Sequence, residues 1–381
     1  MTVLARLQES LGSGDTHAVL RAFVEANTFP IVEDDTATFF YWDGHAADAI
    51  LLRHWVFGLE SAQALIRIPN TDAFALTVAL PPAGRVEYKF EVQRHGGRQW
   101  IRDPLNDRRA FDPFGSNSVC PMPGYQQPKW AELDPKARLG RLTHFHLESK
   151  VWGGSRKVQV YLPYEYRSHR EYPLIIAHDG SDYLRFSGFG QILDNLMTRH
   201  ELLPAIVVLI DGGNRNVEFG AHPDHPRYIV EELLPAIEER FRILPGAHNR
   251  GLMGASFGAV ASLWTAWNYP GVFGKLLLQS GSFVFTDVGH HGRSELWDPV
   301  VAFINTLRAD PARLDAQVFM SCGTFESLIA YNRALAPLLR QAGIRLRFRE
   351  ASDGHNWIAW RDQLREGLTW LYPGHLWMTY D

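Results

Sequence analysis

From about residue 141 onward, short strand-like runs alternate with amphipathic helical ones, and this alternation restricts the possible folds more than any other feature. The strand-like runs are LTHFHLES, KVQVYLP, PLIIAHD, AIVVLID, NRGLMGA, KLLLQSG, AQVFMSCG and RLRFREA. Helical stretches such as PRYIVEELLPAIEERF and FGAVASLWTAWNY lie between them. Strand–helix–strand succession builds a mostly parallel sheet wrapped by helices. Several runs are apolar throughout, as expected of strands covered on both faces. Eight such strands predict an α/β-hydrolase domain over 141–381, with a mostly parallel eight-stranded sheet.

The preceding stretch has a different rhythm. Between about 36 and 101, short runs such as TATFFYW, AFALTVAL and RVEYKFEVQ are punctuated by DGH, PNTD, PPAG and HGG. Turn signals at that spacing predict a small β-sandwich (Ig-like, E-set), here over 1–125 with a short helical lead-in. Residues 102–135 are rich in Pro, Gly and Asn, which interrupt regular elements. A linker is expected over 126–140.

Composition narrows the function classes. Of 381 residues, 46% are hydrophobic and 21% charged, the balance of a globular protein, and the net charge of −4 comes with no basic block. Nothing therefore favours nucleic acid or an anionic membrane as a partner. The N-terminal MTVLARLQESLGSGD lacks the pattern of a secretory signal. The run LPAIVVLI falls far short of the ~20 apolar residues needed to cross a bilayer. Cys120 and Cys322 form no C-x-x-C pair, and a reducing cytoplasm is the simpler setting for them. His144 with His146, and His290 with His291, lack a third ligand at a recognisable spacing, so neither metal nor cofactor is expected.

The chemistry centres on Gly254-Ala255-Ser256-Phe257-Gly258, a G-x-S-x-G element between a predicted strand and a predicted helix. In that context the serine sits on a sharp turn that presents its hydroxyl at the carboxyl edge of the sheet. A serine hydroxyl needs a positioned base, and the chain order in this fold is serine, acid, histidine. His355 lies in ASDGHNWIAW, between the last predicted strand and the last helix, which suits the base. Glu326, in GTFES directly after QVFMSCG, is the first candidate for the acid; Asp287 is the second, and Asp353 stands too near His355 in sequence. An oxyanion hole needs backbone N–H donors. Phe257 should supply one, and Gly180 or the adjacent Ser181 of HDGSDY the other.

These residues resemble the enterochelin esterases, within the esterase-D-like esterases, over most of the chain. The resemblance is carried by RKVQVYLPYEY with YPLIIAHDGSDY, by IVVLIDGGNRNVEFG with EELLPAIEERF, and by GLMGASFG, GTFE and DGHNWIAWRDQL. FFYWDG, VEYKFEV and PFGSNSVCPMPGYQQPKW look like the family's N-terminal sandwich and junction. It implies hydrolysis of the ester bonds of a cyclic catecholate siderophore, with release of iron inside the cell. It implies Ser256, His355 and Glu326 as nucleophile, base and acid, and Arg215, Glu218 and Tyr183 as pocket residues. Where the family has two adjacent arginines, this chain has Arg215-Asn216. Another acyl ester, such as a feruloyl or acetyl carbohydrate ester, remains a second expectation, and a non-catalytic binding protein on the same fold a third.

Overall fold

The computed structural model describes residues 2–12 and 15–375; residues 1, 13 and 14 of the expected first domain and 376–381 of the expected second lie outside them. The described chain forms two compact units. The first runs to Gln126 and also takes in Thr324–Glu326 and Ser352–Gly354; the second holds the remainder.

In the first unit, two helices, Val3–Leu11 and Thr16–Ala26, precede ten strands. These are β1 (Ile31–Glu33), β2 (Thr36–Tyr41), β3 (Ala49–His54), β4 (Ala62–Ala64), β5 (Ile66–Arg67), β6 (Phe74–Ala79), β7 (Arg85–Arg94), β8 (Gly97–Ile101), β9 (Arg109–Asp112) and β10 (Gly115–Pro121). They form two antiparallel sheets, β1-β2-β6-β5 and β4-β3-β7-β10-β9, with β8 paired to β7. Alternation along β2 divides its side chains between two layers. Phe39 and Tyr41 join Ile50, Leu52, Tyr88 and Phe90 of the other sheet in a shared core, whereas Phe40 packs with Leu7 and Leu20 of the helices. Phe325 of the 324–326 segment is buried in the shared core. Arg85 pairs with Glu87 at 2.7 Å and with Asp353 at 3.0 Å.

The second unit is built on β11 (Arg141–Glu148), β12 (Ser155–Leu162), β13 (Leu174–His178), β14 (Ile206–Ile210), β15 (Arg250–Ala255), β16 (Lys275–Gln279), β17 (Gln317–Gly323) and β18 (Leu346–Ala351). Their order is β11-β12-β14-β13-β15-β16-β17-β18. The sheet is mixed rather than simply parallel: β11 and β12 pair antiparallel with their neighbours, and β14 to β18 are parallel. The reason is local. A short connection ending in Gly153-Gly154, both at positive φ, joins β11 to β12, and a connection that short permits only an antiparallel pair.

Alternation again decides the layers. Leu174, Ile176, Val208 and Leu252 face one apolar core, and Ile175, Ala177, Val207 and Met253 face the other. From β13 the chain moves to β14 on one side, and β15 then takes the place on the other side. Such a reversal opens a crevice at the carboxyl ends of the two central strands, where ligands bind in open α/β sheets. Among the described residues, no helix is long and apolar enough to cross a membrane.

Candidate active site

Two turns occupy the carboxyl ends of β13 and β15. At the end of β15, Ser256 has φ 57° and ψ −120°, and the helix Phe257–Asn268 follows at once. Backbone strain of this sort costs on the order of 1–3 kcal/mol and persists only where its surroundings enforce it. Here they do. A Cβ on Gly254 would collide with the backbone of Gly258, so strand and helix approach as closely as glycine allows. The Ser256 N–H donates to the Gln279 carbonyl at 2.9 Å, and the Ser256 carbonyl accepts from Ser282 N–H at 3.3 Å. Its hydroxyl lies 3.1 Å from the Ser282 hydroxyl.

At the end of β13, Asp179 also takes a left-handed conformation, φ 56° and ψ 40°, before the helix Gly180–Phe186. Both its carboxylate oxygens accept from Arg215, one from Nε and one from Nη2, each at 2.6 Å. Burial pushes the Asp179 carboxyl up and Arg215 opposes that shift. A Cβ on Gly258 would lie 3.1 Å from the His178 Cβ and 3.3 Å from Asp179 Oδ2, so the two turns are in contact. Gly180 and Phe257, the expected oxyanion donors, each open a helix, where first-turn N–H groups have no partner within the helix. Gly180 is buried against Leu209, with which any Cβ there would collide.

Beneath the turns lies a neutral histidine pair. His178 Nδ1 is 2.9 Å from the Met253 carbonyl and its Nε2 is 2.9 Å from His225 Nε2. Donation from Nδ1–H to Met253 leaves Nε2 of His178 to accept from His225. Burial lowers the His178 imidazole to about 4 and drives that of His225 down as well.

His355 is exposed, and its ring meets that of Trp360 edge-on, centroids 5.0 Å apart. Asn356 caps the helix Trp357–Leu371 by accepting from Ala359 N–H at 2.9 Å. Trp360 Nε1 donates to Ser280 Oγ at 2.8 Å, and its carbonyl accepts from Gln279 Nε2 at 2.7 Å. Because Gln279 also accepts from Ser256 N–H, one chain of contacts runs from the serine turn to the ring that supports His355. Glu326 is 4% exposed and lies just beyond β17.

Three expected pocket residues have other duties. Tyr183 has 0% exposure, and its hydroxyl donates to Gln279 Oε1 at 2.7 Å, so it belongs to the core under the site. The Glu218 carboxylate accepts from Arg156 Nη1 and Nη2 at 2.9 and 3.0 Å and from the Gly213 and Asn214 N–H groups at 3.0 Å. It therefore ties down its own loop. Arg215 is held by Asp179. Asp287, the second candidate acid, is 71% exposed and pairs with Arg308, while Asp353 pairs with Arg85. Sequence reasoning missed Asp179, Arg156, Gln279, Ser282 and the buried histidines. The one usable signal was an Asp preceding the Gly of HDGS, since Asp tolerates a left-handed turn.

The large sheet flanked by helices is that of an α/β esterase. Residues 149–371, more than half of the chain, match the family described as "Putative esterase", and the chain belongs to that family. It is a carboxylic-ester hydrolase. The iron(III) enterobactin esterase of Escherichia coli O6:H1 is 26% identical over 375 residues, covering 87% of this chain and 90% of that protein. That of Dickeya dadantii is 24% identical over 347 residues, covering 82% and 80%. The crystal structure of ferric enterobactin esterase from Salmonella typhimurium has a TM-score of 0.75 at 24% identity, over 92% of this chain and 98% of that one. The kinship with the enterochelin esterases read from the motifs is borne out by these relatives.

Proposed function

We propose that this esterase hydrolyses the ester bonds of a catecholate siderophore of the enterobactin type, in the cytoplasm, through a serine mechanism that releases iron. The names of the two relatives support the substrate class. The observation that carries the mechanism is the Ser256 turn, a non-glycine residue at φ 57° at the carboxyl end of a central strand.

In this reading, Ser256 Oγ attacks the ester carbonyl carbon while His355 takes the hydroxyl proton. The Gly180 and Phe257 N–H groups stabilise the oxyanion. Collapse breaks the ester C–O bond, His355 returns its proton to the departing alkoxide, and an acyl-serine remains. Water, deprotonated by His355, then adds to the acyl carbon; the bond to Ser256 Oγ breaks, His355 returns the proton to that oxygen, and the acid leaves. Glu326 orients the imidazole and stabilises its charged form. The first unit, proposed here as an Ig-like β-sandwich domain ending near residue 125, is followed by a linker over 126–140 and the catalytic domain from 141.

A second reading, an esterase for an uncharged acyl ester such as a feruloyl or acetyl ester, draws support from Arg215, whose charge is already engaged by Asp179. Turnover of ferric and iron-free enterobactin beside feruloyl and acetyl esters tests both. The first reading expects kcat/KM highest for the trilactones; a clear preference for feruloyl or acetyl esters overturns it in favour of the second.

A further inference from the structure

We propose that Arg215 is a positioning residue for the oxyanion-binding turn at Gly180, acting through Asp179, and is not a receptor for substrate charge. The proposal rests on the serine-esterase reading above and concerns how one half of its oxyanion hole is held.

Four observations carry it. First, Asp179 caps no N–H of its own helix; both carboxylate oxygens go to Arg215 in a bidentate pair. A two-pronged guanidinium–carboxylate contact fixes orientation as well as distance. Second, Asp179 stands at φ 56°, a left-handed conformation that an aspartate tolerates and that the bidentate pair to Arg215 holds in place. Leu209 closes off Gly180 from one side by packing, and the ion pair fixes the preceding residue. The peptide N–H of Gly180 is thereby aimed by the conformation of Asp179. Third, Asp179 Oδ2 lies beside Gly258 in the first turn after Ser256, so displacing Asp179 disturbs the ground shared by both donors.

Fourth, the charge around Arg215 is already balanced towards negative. Asp211 acts on Asp179, Asp179 and Asp211 both act on Asp182, and Asp179 and Asp182 both act on Arg215. A guanidinium in that company attracts a distant anion weakly, because the field it projects is cancelled by carboxylates closer to it. Arg215 is in turn the first residue of the helix Arg215–Phe219, and Glu218 of that helix is gripped by Arg156 and by two loop N–H groups. Two ion pairs in series, Arg156–Glu218 and Arg215–Asp179, thus run from β12 to the turn at Gly180.

The test measures kcat and KM of Arg215→Gln, Arg215→Lys, Asp179→Asn and the Arg215→Gln/Asp179→Asn double variant. Two substrates are used, neutral p-nitrophenyl acetate and ferric enterobactin. The expected result is a fall in kcat of roughly 10–100-fold on both esters, smaller than outright removal of a donor because the N–H is misaimed rather than lost. KM should change little, Lys should restore part of the loss, and the double variant should be no worse than the poorer single one. Asp179→Asn keeps the volume and the tolerance for the left-handed turn, so it serves where Arg215→Gln folds poorly. A rise in KM for ferric enterobactin alone, with kcat on the neutral ester unchanged, overturns the proposal and makes Arg215 a substrate receptor. Ser256→Ala run alongside separates the two levels. Full turnover in that variant overturns the serine reading, and the proposal with it; its loss together with unchanged kcat in Arg215→Gln overturns the proposal alone.

Discussion

The turns after β13 and β15 do the same geometric job by different physics. Each holds a residue with a side chain at positive φ, 56° for Asp179 and 57° for Ser256, at the carboxyl edge of the sheet. At Ser256 the constraint is steric, set by the close approach of Gly254 and Gly258, and the hydroxyl takes no part in it, lying 3.1 Å from that of Ser282. At Asp179 the constraint is an ion pair that uses the side chain completely. The proposed nucleophile cannot be held by its own reactive atom, so packing has to hold it. The neighbouring turn is under no such restriction, since its proposed part is played by the backbone alone.

If the two turns are so divided, removing the side chain of one must abolish chemistry. Ser256→Ala and His355→Ala should each lower kcat by about 10⁴–10⁶-fold while leaving the melting temperature nearly unchanged, as measured by turnover and calorimetry. Retention of more than a hundredth of the activity in Ser256→Ala would mean that the steric turn carries no nucleophile.

His178 underlies both turns. Its imidazole is lowered to about 4 by burial, against 6.5 for an ordinary histidine. The unfolded chain therefore binds a proton that the native state refuses. Its contribution to stability is complete above about 6.5 and falls as the pH drops towards about 4, by about 3 kcal/mol. Denaturant melts across that range should show the loss; stability unchanged down to pH 4 would contradict a neutral buried pair.

Gly258→Val attacks the steric turn directly, because its side chain would press on His178 and on Asp179 Oδ2. The expected cost is about 1–3 kcal/mol from overpacking, with a fall in kcat on every ester. Glu218→Gln weakens the first link of the electrostatic series. It should cost about 1–2 kcal/mol and lower kcat less than Arg215→Gln does, since its effect reaches Gly180 through one more contact. The smallest effect is expected of Tyr183→Phe, about 1 kcal/mol from one buried hydrogen bond, with KM for aromatic esters unaltered. A raised KM there would return Tyr183 to the pocket.

The sequence was informative where a property is local. NRGLMGA followed by FGAVASLWTAWNY became β15 and the helix after the serine, because apolar continuity and flanking glycines act over neighbouring residues. PLIIAHD became β13 for the same reason. Where the chain folds back on itself, local pattern gave no guidance. Arg215 and Asp179 are 36 positions apart, and Arg156 and Glu218 are 62 apart, so nothing in their spacing announces a pair. An arginine and a glutamate in a polar loop therefore read as pocket residues when each already had a partner. The antiparallel start of the large sheet was similarly hidden, because KVQVYLP reads alike as a parallel or an antiparallel strand until its neighbour is known.

The proposed chemistry depends on Ser256 being the activated hydroxyl of this fold. Mass spectrometry of the folded protein after a fluorophosphonate probe tests that most directly. One phosphonyl adduct on the peptide carrying Ser256, lost when His355 is replaced by alanine, is the predicted result. No adduct on that peptide, or labelling indifferent to His355, would contradict it.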